Sequence, residues 1–216
     1  MRMTNKIKES SRFNYKSNFG ENNPLLTNTK LFDLALDEFV TNDFQHASLN
    51  DILKKADIAK SSFYYQYGDK LGLYLAMMDV IIQKKLKFFN ERMNNVDLKA
   101  DFFTVIRQLS KETMDFMFMD KRLYHFSNQM MYQDKELLAV VIKYFPYDVN
   151  ASFKPLLERA FKEKLINQKY PIEFVGRVLQ VLLSNIDKLL DEHATAEKAY
   201  QTLNLVFDVL EKGIKE

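Results

Sequence analysis

Glycine and proline are scarce in this chain. Its 216 residues hold five glycines and four prolines, about 4% where about 12% is usual. Few residues suited to sharp turns means few turns. All-β folds and glycine-rich phosphate-binding loops are therefore excluded first. Leu, Lys, Met, Glu, Asp and Phe fill the space instead, which suits long helices. The apolar fraction of 47% is enough for a sizeable core, and 28% charged residues give a well-solvated surface. Cysteine is absent, which removes disulfides, thiolate metal sites and cysteine nucleophiles and fits a reducing cytoplasm. The longest uninterrupted apolar stretches, such as 137–142, run about six residues, whereas a membrane-spanning helix needs about 20. The N-terminus has no apolar stretch of the signal-peptide kind. A cytoplasmic protein with no membrane partner is expected.

Residues 1–26 differ from the rest. Arg2, Lys6, Lys8, Arg12 and Lys16 stand against Glu9 and Glu21 among many Asn and Ser, with no helical period. This reads as a flexible basic N-terminal arm, either a disordered tail or an arm that reaches along DNA. From residue 27 the helical period begins. Leu31, Leu34, Ala35 and Phe39 mark one amphipathic helix over 29–40. Ser48 and Asp51 form a capping box, and Leu49, Ile52, Leu53 and Ala56 give a short second helix its stripe. Asp57 stands where the chain must turn. A third short helix runs through Phe63 to Tyr67, Gly68 stops it, and Asp69 caps a long fourth helix over 70–93. Further helices fit 101–119, 122–131, 135–144, 152–165, 172–193 and 196–214. Pro155 suits either a first helical turn or a kink in a longer helix; Pro171 suits a helix start, and Thr195 caps the last helix.

Two short helices joined by a tight turn, behind a supporting helix, make a helix-turn-helix. Ile58, Phe63 and Tyr67 pin the third helix, leaving Lys60, Ser61, Ser62, Tyr65 and Gln66 outward with no carboxylate from 59 to 68. An acid-free face rich in short donors suits a major groove lined by phosphates. Lys70 opens a helix, where the macrodipole disfavours a cation. A phosphate bound there explains the placement, as does a solvated lysine beside Asp69.

The run SLNDILKKADIAKSSFYYQYGDKLGLY, residues 48–74, resembles the DNA-binding signature of TetR-type transcriptional regulators, and the resemblance extends over 29–74. That signature has Ser or Thr opening helix two, an apolar-Ala ending, a Gly-Val turn, a Ser-Lys-Gly-Thr-Leu-Tyr recognition helix, an aromatic pair and a Lys opening helix four. Ser48, Ile52, Ala56, Ile58, Lys60, Ser62, Phe63, Tyr64, Tyr67 and Lys70 fill those slots. Asp57 replaces the turn glycine, Ala59 the Ser cap, Ser61 a glycine, and Leu71 the Glu after the lysine. These departures bear on the operator sequence and remove no phosphate donor. The resemblance implies that Ser48, Ser62, Tyr64 and Lys70 contact the DNA backbone and that Lys60, Ser61 and Tyr65 read bases. Tyr64 also admits a reading as a core aromatic.

The resemblance further implies an all-α protein of about nine helices. A helix-turn-helix DNA-binding domain over 27–73 precedes a helical effector-binding and dimerisation domain over 74–216. Dimerisation through the last two helices is implied, with two recognition helices about 34 Å apart on a near-palindromic double-stranded operator. The effector site implied by the family falls in a Met- and aromatic-rich stretch, where a core and an adaptable apolar cavity are both open readings. Phe102, Ile106, Met114, Met117, Tyr124, Met130, Met131, Tyr144 and Phe153 are its candidate lining. The function expected is a repressor relieved by a small, largely apolar or aromatic ligand. A ligand-independent architectural DNA binder of the same fold is the first alternative, and a helical small-molecule-binding or interaction protein with a vestigial helix-turn-helix is the second. No enzyme is expected: His46, His125 and His193 are scattered with no metal-ligand spacing, so neither metal nor cofactor is assigned.

Overall fold

The computed structural model describes residue 7 and residues 9–132, 135–146, 149–189 and 195–214. Ten α-helices and no strand occur among them. They are α1 (Thr29–Thr41), α2 (Leu49–Ala56), α3 (Lys60–Tyr67), α4 (Lys70–Arg92), α5 (Phe102–Met119), α6 (Lys121–Tyr132), α7 (Lys135–Tyr144), α8 (Val149–Lys162), α9 (Ile172–Ser184) and α10 (Ala196–Ile214). The protein is all-α, as its composition requires. Several caps follow the sequence: Ser48 Oγ accepts from the Asp51 N–H, Asp69 Oδ1 from the Gly72 N–H, and Thr195 Oγ1 from the Lys198 N–H. The reciprocal arm of the α2 capping box is different. The Ser48 N–H donates to Glu38 Oε1 at 2.8 Å, so α1 supplies the acceptor expected of Asp51.

The chain divides into two compact units. One comprises Met1–Phe88 and Asp120–Pro146; the other comprises Phe89–Met119 and Tyr147–Glu216. In the first, α1 packs on α2 and α6, and α6 packs on α7. Leu31, Ala35, Leu36 and Phe39 of α1 are almost fully buried with Ile52, Phe63, Tyr67, Leu73 and Leu75. Tyr74 meets Phe39 edge-on at 5.0 Å and Phe126 at 5.3 Å. Arg122 of α6 pairs with Asp120 at 2.7 Å, Asp37 at 2.8 Å and Asp33 at 2.9 Å, and Gln129 Nε2 donates to the Val40 carbonyl. These bonds hold α6 to α1, so the unit that carries the helix-turn-helix extends beyond 27–73.

Residues 9–26, expected to run as a free arm, lie packed against this unit. They form 3-10 turns at Tyr15–Asn18, Gly20–Asn22 and Pro24–Leu26, and Tyr15 and Leu25 are 3% and 1% exposed. Aromatic rings and asparagine side chains replace the missing helical stripe as anchors. Asn18 Nδ2 donates to the Gln66 carbonyl at 2.7 Å, and Asn23 Nδ2 to the Ala76 carbonyl at 2.7 Å. The buried Asp79 carboxylate accepts from Gly20 N–H, Asn23 and Gln83, which offsets the cost of enclosing its charge. Residues 1–6 and 8 of the expected arm lie outside the described residues.

In the second unit α10 packs on α5, and α8 on α5 and α9. Phe102, Ile106, Leu157, Ile166, Val175, Leu179, Leu203 and Phe207 form its core. Arg107 of α5 reaches Asp208 and Glu211 of α10 at 2.7 and 3.0 Å. Pro155 sits inside α8, which begins at Val149 and not near 152. Helix α9 stops at Ser184, capped by Asn185, and a 3-10 turn follows at Ile186–Leu189; residues 190–194 of the expected longer helix lie outside the described residues.

Candidate nucleic-acid interface

Helix α3 buries a narrow face and exposes the rest. Phe63 and Tyr67 are fully buried and stacked at 5.2 Å. Lys60, Ser61, Ser62, Tyr64, Tyr65 and Gln66 are exposed. Tyr65 is 90% exposed, an arrangement with no packing benefit for a large ring. Tyr64 is half exposed, its ring set edge-on to Phe63 at 5.5 Å, so it contacts the core while presenting its hydroxyl outward. Ser48 is partly buried at the head of α2; its hydroxyl oxygen is the cap acceptor, leaving the O–H as a donor.

The turn before α3 is made by Asp57 at φ 58°, ψ 48°, the left-handed conformation that glycine adopts at no steric cost. Its N–H still closes on the Leu53 and Lys54 carbonyls. Ala59 caps α3 with no side-chain acceptor, so the first N–H groups of this helix have no side-chain partner from their cap.

The joint between α3 and α4 is tightly closed. Gly68 has φ 77°, and a Cβ built there would lie 2.5 Å from Phe13 Cγ. A Cβ on Gly72 would lie 1.8 Å from the Tyr67 carbonyl oxygen. Both positions admit glycine only. Asp69 bridges the joint, since its second carboxylate oxygen accepts from the Tyr15 hydroxyl at 2.6 Å. Burial and this bond to a carboxylate both push the Tyr15 hydroxyl pKa upward. The Tyr67 hydroxyl is buried with no hydrogen-bond partner among the described residues, and burial raises its pKa too.

Lys70 is placed differently from a simple phosphate ligand. Its ammonium donates to the carbonyls of Ala47 at 2.9 Å and Gln45 at 3.2 Å, and lies 5.0 Å from the Phe44 ring centre. Burial lowers its pKa, while the nearby Asp43 and Glu38 pull the other way. The third ammonium hydrogen remains a donor.

The structure therefore gathers Lys60, Ser61, Ser62, Tyr64 and Tyr65 on one short helix, with Ser48 and Lys70 at its supporting elements. Sequence reasoning missed Phe13, Tyr15, Asn18 and Glu38, which hold the ends of α2 and α3. Only the aromatic character of 13, 15 and 19 signalled that the segment is anchored.

The candidate effector residues are distributed over both units. Phe102, Ile106 and Met114 belong to the core of the second unit, with Phe153 packed against it and Met117 half-buried. Tyr124, Met130 and Tyr144 belong to the first. The side chain of Met131 lies outside the described residues. A cleft of about 390 Å³ lies between α8 and α9, its lining including Phe153, Leu157, Ile172, Gly176 and Leu179 together with the charged Glu173 and Arg177. Met130 borders a void of about 10 Å³ with Phe39, Phe44, Tyr74 and Phe126, at most one water in size. Of the candidates, Phe153 lines the cleft between α8 and α9 and Met130 the small void in the first unit. No cluster of His, Asp or Glu among the described residues is arranged to hold a metal, and no helix among them is long and apolar enough to cross a membrane.

Residues 31–77 match the family described as bacterial regulatory proteins, tetR family. The chain is similar to a TetR family transcriptional regulator from Chloroflexus aurantiacus, with 25% identity and a TM-score of 0.70 over 90% of this chain and 96% of that one. It shares its fold with the fatty acid degradation regulator of Bacillus halodurans (13% identity, TM-score 0.63, 87% of this chain and 100% of that one). The same holds for a ketosteroid transcriptional regulator of Mycobacterium tuberculosis (11% identity, TM-score 0.61, 88% and 95%). No curated protein sequence is significantly similar to the chain.

Proposed function

We propose that this chain, a member of the TetR family of bacterial regulators by its helix-turn-helix and its fold, is a repressor that binds a near-palindromic operator as a homodimer and leaves it when a small, largely apolar ligand binds. The observation that carries this reading is the exposed face of α3: one cation, two serines and two tyrosines outward, no carboxylate, and a fully buried Phe63–Tyr67 pair behind them. Lys60, Ser61 and Tyr65 meet base edges in the major groove. Ser48, Ser62, Tyr64 and Lys70 meet phosphates and set the register.

Dimerisation through α9 and α10 is supported by what these helices leave uncovered. Phe174 and Val181, seven residues apart, are 50% and 61% exposed; Leu205 and Val209, four apart, are 64% and 72% exposed. Apolar side chains left exposed at helical spacing on both helices suit burial by a second copy. The cleft between α8 and α9, lined by Phe153, Leu157, Ile172 and Leu179, suits an apolar effector. The burial of Phe102, Ile106 and Met114, each under a tenth exposed, favours the alternative in which DNA binding is independent of any ligand.

Selection of DNA fragments by the purified protein tests the reading. A near-palindrome with half-sites about one helical turn apart is expected, bound with a steep salt dependence. Recovery of no common sequence at any salt concentration would exclude operator recognition. A panel of small apolar compounds then separates the two alternatives: one that releases the operator supports the effector, and release by none supports the ligand-independent binder.

A further inference from the structure

We propose that the segment over residues 9–23 is a docked second DNA-contacting element, which holds Arg12 and Lys16 against the phosphates that flank the groove entered by α3. The inference rests on the DNA-binding reading above.

The segment is anchored at the end of the recognition helix. Phe13 packs on Gly68 so closely that no side chain fits there. The Tyr15 hydroxyl donates to Asp69 and accepts from the Ser10 N–H. Asn18 donates to the Gln66 carbonyl in the last turn of α3. Between these anchors the chain alternates. Phe13 and Tyr15 face inward, and Arg12, Asn14 and Lys16 are exposed. Arg12 is one residue from the Gly68 contact and Lys16 two residues from the Gln66 contact, with neighbouring Cα atoms about 3.8 Å apart. Helix α3 has eight residues, about 12 Å of axis, and the major groove is about 12 Å wide. Cations carried beside the last turn of such a helix stand at the edge of that groove, where phosphates lie.

The charges around them support an anion as partner. Neither Arg12 nor Lys16 forms an ion pair among the described residues. The carboxylates of Glu9 and of the anchoring Asp69 are occupied: Glu9 is held by Lys143 and Tyr144, and Asp69 by Tyr15 and the Gly72 N–H. Glu21 lies further along, beyond Gly20. Because the backbone is already ordered, contacts by Arg12 and Lys16 avoid the backbone share of the entropy cost that a free arm meets on binding and carry only the side-chain share.

The test measures affinity for a selected operator and for a random duplex across 50–200 mM salt, with the full-length protein. The double variant Arg12→Ala/Lys16→Ala is expected to lower the log–log salt slope by about two, since each phosphate contact contributes about 0.9. It is expected to weaken both DNAs about equally, with an unchanged melting temperature. Removing the same two charges from Lys162 and Lys169 should leave the slope at its wild-type value. Phe13→Ala keeps both cations but loosens the anchor; a reduced slope in this variant ties the effect to docking. A wild-type slope in the double variant overturns the proposal, and a wild-type slope in Phe13→Ala overturns the docked geometry. If the wild-type protein itself binds no DNA with a salt dependence, the functional reading fails instead, so the two failures are distinguishable.

Discussion

The ammonium nitrogen of Lys70 lies 2.9 Å from the carbonyl oxygen of Ala47, joining the first turn of α4 to the loop that enters α2. Lys70→Met should leave that partly buried carbonyl without its donor, at a cost of about 1–3 kcal/mol. A lower melting temperature is expected, together with weaker binding to every DNA sequence. The salt slope should fall by about one if the remaining hydrogen meets a phosphate; an unchanged slope would assign Lys70 to the loop alone.

Asp57 occupies a left-handed site at the C-terminal end of α2, where a side chain strains the backbone and a carboxylate opposes the helix dipole. Asp57→Gly should stabilise the protein by about 1 kcal/mol and raise its melting temperature by a few degrees, with operator binding retained. A lower melting temperature would show that the Asp side chain compensates for its conformation.

Tyr65 touches almost nothing in the protein, being 90% exposed. Tyr65→Ala should therefore change stability by less than about 0.5 kcal/mol while altering the ranking of operator variants in a binding competition. An unaltered ranking would remove Tyr65 from the base-reading set.

The Glu9 carboxyl is held below its ordinary pKa of 4.5, first by hydrogen bonds from Lys143 and Tyr144; burial and this bond push the Tyr144 hydroxyl up to about 12. A lowered carboxyl pKa contributes stability above the unfolded value, and that stability is lost as pH falls through the folded one. Glu9→Gln should melt below wild type at pH 7 by an amount worth no more than about 1 kcal/mol, since Lys143 is largely exposed and Glu9 partly so. The two curves should converge as the pH falls through the lowered folded pKa of Glu9. A difference that stays constant as the pH is lowered would mean that packing, not charge, is lost.

Leu205 and Val209 present apolar surface on α10. Leu205→Glu/Val209→Glu should shift the sedimentation coefficient from dimer to monomer and abolish tight operator binding, with helical content unchanged. A wild-type sedimentation profile would move the interface elsewhere.

The helices were legible in the sequence because their signals are local. Ser48, Asp69 and Thr195 cap the helices they precede, and the Phe63–Tyr67 spacing alone separates the buried face of α3 from the presented one. Non-local relationships were not legible. Asn18 and Asn23 are ordinary polar residues until the carbonyls of Gln66 and Ala76 are brought to them. Glu38 takes the place of Asp51 across ten residues of chain. Pro155 left two helix starts open, and packing chose the earlier. The Met and aromatic residues after residue 102 carry hydrophobicity but no address, so composition could not say which unit would claim each one.

The glycines at 68 and 72 have one further consequence. With the Tyr67 carbonyl against one and Phe13 against the other, the junction of α3 and α4 behaves as a weld and not as a hinge. The recognition helix has no play of its own, so it must travel with α4 as a single lever. That lever is 23 residues long, about 35 Å. A tilt of about 5° displaces its tip by about 3 Å, a large part of a base-pair step, so a slight change in how α4 is seated is enough to put α3 out of step with its groove.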